Sequence, residues 1–173
     1  MIAPLVVLRR GQDDFLLLTE PELGERVRTE LTRFRLAAKA EIALEEHESW
    51  IVLGGEEELE RWRVESGVPR WGREIDNTIL PAEAGLTETH VSFTKGCYPG
   101  QEPIARLHHR GKVNRRLRAL ELEGEPTSDE LVLGEKVVGR ITSRAGDRAL
   151  GYVRVEVPED AELRAGEATA RLH

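Results

Sequence analysis

The patterning changes at Gly111, and that change constrains the fold of this chain more than any other feature. Beyond it, no apolar stripe of helical spacing reaches a useful length. Short β-type runs at 116–122, 136–142 and 149–157 alternate with turn signals instead. Successive side chains of a strand point to opposite faces, so such runs read as antiparallel strands. A segment this short closes them into a small β-barrel or sandwich.

Before Gly111 the signals are mixed. Apolar runs at 4–8 and 15–19 flank the polar loop RRGQDD, with Gly11 as the turn residue, and predict a hairpin. Thr19-Glu20-Pro21-Glu22 has the form of a helix start, with Thr19 as the cap and Pro21 in the first turn. Leu23, Val27, Leu31 and Phe34 follow at helical spacing. Runs at 40–44 and 49–53 read as two strands around EEHE. A second helix is expected over 56–65, with Leu59 and Trp62 facing inward and Gly67 and Pro69 ending it. A loop rich in Gly and Pro reaches Leu86, and 90–94 reads as a strand. From Phe15 the order is β-α-β-β-α-β, the order of a ferredoxin-like unit. The expected fold is therefore α+β: a first domain over 1–111, then a small antiparallel β-barrel domain over 112–173.

Composition narrows the function classes. A net charge of −7 argues against wholesale binding to nucleic acid or to an anionic membrane, although a local basic patch is compatible with it. A single cysteine allows no internal disulfide and fits a reducing compartment. The first residues, MIAPLVVLRRGQDDF, lack the basic region and cleavage site of a signal peptide, and no apolar run approaches the ~20 residues of a membrane span. A cytoplasmic protein without a membrane anchor is expected.

The chemistry concentrates at Lys95-Gly96-Cys97-Tyr98-Pro99-Gly100-Gln101-Glu102. Cys97 falls in a turn ahead of a helix expected to begin near Glu102 or Pro103 and to run through IARLHHR. A thiol near a helix start meets unpaired backbone N–H groups and the positive end of the dipole, and Lys95 is two residues away. Both effects favour the nucleophilic thiolate. Gly96 and Gly100 allow close backbone approach. Tyr98 offers a flat ring and a hydroxyl. The alternative is a strand-to-helix turn around a buried, inert cysteine.

Other charged residues carry weaker signals. Arg106, Arg110, Lys112, Arg115, Arg116 and Arg118 lie in a stretch, 103–120, that contains no acid. The stretch reads either as a solvated face or as a phosphate-contacting patch. Glu65, taken by itself, is a charge at a helix end. His108 and His109 point about 100° apart on a helix and do not suit one metal. With no Cys/His cluster, no phosphate-binding loop and no dinucleotide fingerprint, no metal is predicted.

Taken as a string, KGCYPGQEPIAR resembles the KGCYxGQE signature, with its following arginine, of the YgfZ family. Residues 61–86 resemble the stretch that precedes the signature. Gly111 and Arg115-Arg116 resemble its RG…R continuation, and Val138-Gly139-Arg140-Ile141-Thr142-Ser143 resembles the VGxxTS segment of its barrel. The family shares its fold with the T-protein (aminomethyltransferase) of the glycine cleavage system. The resemblance implies tetrahydrofolate binding, a role in maintaining iron–sulfur enzymes, and an indirect effect on tRNA modification.

The resemblance also implies roles. Cys97 is the key thiol, tuned by Lys95. Glu65 stands where T-proteins carry RLEAG and would read the pterin, since an ionised carboxylate can accept from adjacent N–H donors. Tyr98, Gly100, Gln101, Glu102 and Arg106 fall to the folate side, Arg106 facing the acidic tail. Implied partners are folate and iron–sulfur enzymes or their assembly factors. Whether the chain is an enzyme stays open. The alternatives are a folate-dependent aminomethyltransferase and a scaffold or RNA-contacting module without folate, which could touch tRNA directly. Against the family the chain reads as an N-terminally short member. A homodimer would then supply the missing wall of the folate channel, favoured by the apolar edge the shortening exposes.

Overall fold

A two-stranded ribbon, five helical segments and a closed barrel make up the computed structural model, which describes residues 5–35, 39–45, 55–98 and 100–173. Strands β1 (Val6–Arg9) and β2 (Phe15–Leu18) pair antiparallel, Val6 opposite Leu18 and Arg9 opposite Phe15. The backbone N–H groups of Arg10 and Gly11 both donate to the carbonyl of Asp14, which closes the expected hairpin. Val6, Val7, Leu8, Phe15 and Leu18 are all exposed, so apolar side chains project from both faces of the ribbon.

The next segment starts as one 3-10 turn, Pro21–Leu23, and continues as α1 (Gly24–Phe34). Glu20 holds the cap position, not Thr19, and makes no side-chain cap hydrogen bond. Its carboxylate instead accepts the N–H of Trp71 at 2.9 Å. Arg26 donates to Asn77 at 2.6 Å and lies over the Trp71 ring. Leu23 and Val27 are buried, while Phe34 at the far end of the stripe is exposed. Residues 40–44, expected as a strand, form no ladder. The strand expected at 49–53 lies outside the described residues.

Helix α2 (Glu56–Glu65) has the expected bounds and a different inner face. Trp62 is 50% exposed, whereas Arg63 and Val64 are buried. The reason is electrostatic. Arg63 reaches inward to Glu74, whose side chain has no exposed surface, at 2.9 Å. It also donates to both oxygens of Glu60 and to the carbonyl of Val68. A buried guanidinium needs such a set of acceptors, because its charge is costly to desolvate unpaired.

Residues 70–86 are an ordered strap against the barrel. The carbonyl of Arg70 accepts from the N–H groups of Glu74 and Ile75, and Asp76 caps the next turn by accepting from Thr78 and Ile79. Ile75, Ile79, Ala84 and Leu86 pack with Tyr152 in a small core. The strand expected at 90–94 is absent. Residues Thr87–His90 form one helical turn, α3, and 91–98 continue without a ladder to α4 (Gln101–Arg110).

The barrel comprises β3 (Arg115–Glu123), β4 (Glu130–Leu133), β5 (Lys136–Ala145), β6 (Arg148–Arg154), β7 (Glu162–Ala165) and β8 (Ala168–Leu172). All pairings are antiparallel, in the closed order β3-β6-β5-β4-β7-β8. Its interior is filled by Leu120, Leu131, Ile141, Val153 and Leu163, with the small Ala165 and Ala170 where β7 and β8 close in. Thus the α+β class and the closed C-terminal barrel match the expectation, and the difference lies in the strands of the first part.

One junction ties the parts together. Glu74 receives Arg63 and the N–H of Arg70 on one oxygen, and the hydroxyls of Thr142 (2.7 Å) and Ser143 (2.6 Å) on the other. Its own carbonyl accepts the Tyr152 hydroxyl at 2.9 Å. Burial pushes the Tyr152 phenol up from its usual value, which keeps it a donor. Consecutive residues of a regular strand point to opposite faces. Thr142 and Ser143 both reach Glu74 because the β5–β6 register shifts between Ile141 and Ser143.

Removing one partner of a buried pair leaves the other uncompensated. Glu74→Gln should therefore lower unfolding stability in urea by about 3 kcal/mol. Thr142→Val, which removes one neutral donor, should cost about 1 kcal/mol. Glu60 adds a pH dependence. Hydrogen bonds from Arg63 hold its carboxyl below the usual range. The stability it contributes is present above the unfolded carboxylate value of about 4.3 and is lost as pH falls through the lowered native value. Glu60→Gln should flatten the acid limb of a Tm-versus-pH profile below about pH 5.

Candidate functional site

The turn that carries Cys97 is built from its own polar groups. The N–H of Lys95 donates to the hydroxyl of Ser92, and the N–H of Tyr98 donates to the side-chain carbonyl of Gln101 at 3.1 Å. Gln101 returns a backbone bond to the carbonyl of Tyr98. Gly100 sits between them at φ 78°, in the left-handed region that glycine adopts without cost. The chain reverses there and enters α4, with Glu102 in the first turn at the positive end of the dipole.

Cys97 is free and exposed on this turn, and so is not the buried cysteine of the alternative reading. Lys95 does not reach out to solvent alone: its ammonium lies 4.4 Å from the centroid of the Tyr98 ring. This is cation–π distance, so the ammonium and the ring hold one another. Lys95, Cys97, Tyr98, Gly100, Gln101 and Glu102 thus form one local unit.

Helix α4 is amphipathic. Ile104 and Leu107 are half-buried, while Arg106 is exposed on the other side. His108 stacks on Phe93 with centroids 3.9 Å apart. The helix stops at Gly111, whose N–H bonds the carbonyl of Leu107; a Cβ at this position would lie 2.6 Å from a Leu107 methyl. Below α4, between it, the strap and the barrel mouth, is a cavity of about 590 Å³.

Glu65 stands elsewhere. At the end of α2 it accepts from Arg61 at 2.8 Å and lines a separate cavity of about 200 Å³ with Arg148 and His173. Among the described residues, none of 95–106 lines that cavity. The structure therefore gathers the signature residues but does not join Glu65 to them. The acid-free stretch is also less uniform than its sequence. Arg115 pairs with Glu83, and Arg118 with Glu159, both carboxylates coming from distant segments. Sequence reasoning missed the Arg63–Glu74 pair. A signal existed in the two adjacent hydroxyls of Thr142-Ser143, which a strand would not normally turn toward one partner.

Two measurements test this geometry. Ellman's reagent should titrate one thiol in the native protein without denaturant, since Cys97 is exposed and is the single cysteine. Gly100→Ala should lower stability by about 1 kcal/mol, the cost of a side chain in the left-handed region.

Comparison with known proteins gives a consistent picture. Residues 114–173 match the family described as CAF17, C-terminal beta-barrel domain. The mouse mitochondrial iron–sulfur cluster assembly factor IBA57 is 35% identical over 98 residues, covering 56% of this chain and 27% of that protein. The tRNA-modifying protein YgfZ of Colwellia psychrerythraea is 46% identical over 64 residues, covering 36% of this chain and 19% of that protein. An aminomethyltransferase of a Nostoc species is 27% identical over 145 residues, covering 82% of this chain and 34% of that protein. The chain thus spans about a third or less of these relatives' own lengths. The closed barrel thus matches the CAF17 C-terminal beta-barrel domain over residues 114–173, and the chain as a whole is similar to proteins of the YgfZ/IBA57 type and to aminomethyltransferases.

Proposed function

We propose that this protein supports the upkeep of iron–sulfur enzymes, with Cys97 as its working thiol beside a bound tetrahydrofolate, and that it affects tRNA modification indirectly through those enzymes. The observation that carries the reading is the exposed, free thiol of Cys97 on a hydrogen-bonded turn at the head of α4. An exposed thiol near a helix start can act as a nucleophile or as a redox group. Lys95, two residues before Cys97 in the sequence, has its ammonium held on the Tyr98 ring.

Residue types support the reading part by part, with Glu65 and the Cys97 turn on separate surfaces that one elongated ligand would have to span. Glu65 has one oxygen on Arg61 and acceptor capacity left for paired pterin N–H donors. Arg106 is exposed with no carboxylate partner among the described residues, and suits an acidic tail. Gly100 and Gln101 shape the turn, and Tyr98 offers its ring to a flat ligand. Tetrahydrofolate, when bound, supplies reducing equivalents and one-carbon carriage. The chain's own part is to hold the ligand beside the thiol.

The relatives named for iron–sulfur cluster assembly and tRNA modification support this assignment of role. Iron–sulfur enzymes or their assembly factors are the proposed protein partners. A homodimer is proposed on the exposed apolar ribbon Val6–Arg9/Phe15–Leu18. Among the described residues no helix is long and apolar enough to cross a membrane, and the cytoplasm is the proposed compartment. A second reading, aminomethyl transfer, is favoured by the length of the match to the Nostoc aminomethyltransferase.

Calorimetric titration with tetrahydrofolate tests the proposal. Heat and a rise in Tm are expected, with Glu65→Gln weakening binding about tenfold, the loss of one charge-assisted interaction. Absence of both signals with wild type would end the folate reading and leave a scaffold that contacts RNA or protein. Cys97→Ser should retain folate and fail to restore iron–sulfur enzyme activity in a strain lacking the protein. Full restoration would remove the thiol from the mechanism. Turnover of an aminomethyl donor would promote the second reading.

A further inference from the structure

The cavity under α4 is distinct from the Cys97 turn and from the Glu65 cavity. Its volume, about 590 Å³, falls in the range of small-molecule sites. Ile104 and Leu107 of α4, Leu80 of the strap, and Leu117 and Val155 of the barrel mouth give it apolar walls. These walls are incompletely covered: Ile104, Leu107 and Leu117 are only half-buried, and Val155 is 47% exposed. An apolar surface left open on both the helix and the barrel side is costly in water unless something fills the gap.

The charges around it are asymmetric. Lys112 and Arg116 line the cavity, and neither has a carboxylate partner among the described residues. Their neighbours in the sequence differ, since Arg115 and Arg118 are both paired. Two acids also line the space. Glu83 is engaged on both oxygens, by Arg115 at 3.0 Å and by the N–H of Leu80 at 3.0 Å. Glu88 is the acid that remains, facing two unpartnered cations. In a chain of net charge −7, a cavity with a surplus of unpartnered positive charge is a local exception that attracts anions.

We propose that this cavity binds a small amphipathic carboxylate, with an apolar body of ring size against Ile104, Leu107, Leu117 and Val155 and its carboxylate on Lys112 and Arg116. Arginine offers the carboxylate a two-pronged contact and lysine a point charge, so the pair both orients and holds it. Two sources carry this chemistry: the benzoylglutamate arm of a folate, and a free aryl or short fatty carboxylate. The site stands whether or not the folate proposal does.

Calorimetry on the full chain separates these cases, using p-aminobenzoylglutamate, octanoate, tetrahydrofolate and a tail-less reduced pterin as probes. Binding of p-aminobenzoylglutamate or octanoate is expected, weakening with salt. Arg116→Glu and Lys112→Ala, both at exposed positions, should each weaken it tenfold or more. Val155→Glu should do the same by placing a like charge at the apolar wall. Circular dichroism and Tm confirm that the variants fold. If p-aminobenzoylglutamate binds while tetrahydrofolate and the tail-less pterin do not, the cavity stands and the folate reading falls. If tetrahydrofolate binds but neither carboxylate does, and Arg116→Glu leaves its affinity unchanged, the cavity proposal is overturned and the folate reading survives. Binding of both carboxylates unaffected by all three variants also overturns it.

Discussion

A single buried carboxylate, Glu74, organises the molecule. Four donors from three parts of the chain converge on it: Arg63 from α2, the backbone of the strap, and two hydroxyls of β5. Each donor alone contributes modestly, because folding exchanges one hydrogen bond for another. Together they leave the ion fully satisfied, and a buried charge tolerates no other state. The junction holds α2 and the strap against the barrel, and the strap in turn forms one wall of the cavity beneath α4. The position of the candidate sites relative to the barrel therefore rests on polar chemistry more than on the apolar core.

Much of the barrel is legible in the sequence, because alternation and turn residues are local signals that need no tertiary information. The bounds of α2 are legible for the same reason: Gly55 precedes it and Gly67 follows, with φ 68° where the helix ends. Its inner face is not. Hydropathy places Leu59 and Trp62 inside, whereas the structure exposes Trp62 and buries Arg63. The deciding partner, Glu74, is eleven residues further on, and no periodicity rule connects the two. The strap was similarly hidden. A segment rich in Gly and Pro reads as loose loop, yet its Ile75 and Ile79 are buried because Tyr152 of the barrel gives them a surface to cover.

The Cys97 turn is intermediate. The turn at Gly100 follows from residue types near a helix start, and α4 begins within a residue or two of the expected Glu102 or Pro103. The exposure of the thiol and the seating of Lys95 on Tyr98 depend on side-chain directions that spacing does not specify. Likewise, the acid-free stretch at 103–120 divides into paired and unpaired cations only once Glu83 and Glu159 are brought to it by the fold.

Closure of the barrel has a further consequence. Because β3 pairs with β6 on one side and β8 on the other, its strands along these ladders have both flanks taken. Among the described residues, β1 and β2 pair only with each other. Backbone donors and acceptors on their outer flanks are the kind that templates another strand. Among the described residues, strand addition is therefore open at the ribbon and closed along the paired ladders of the barrel.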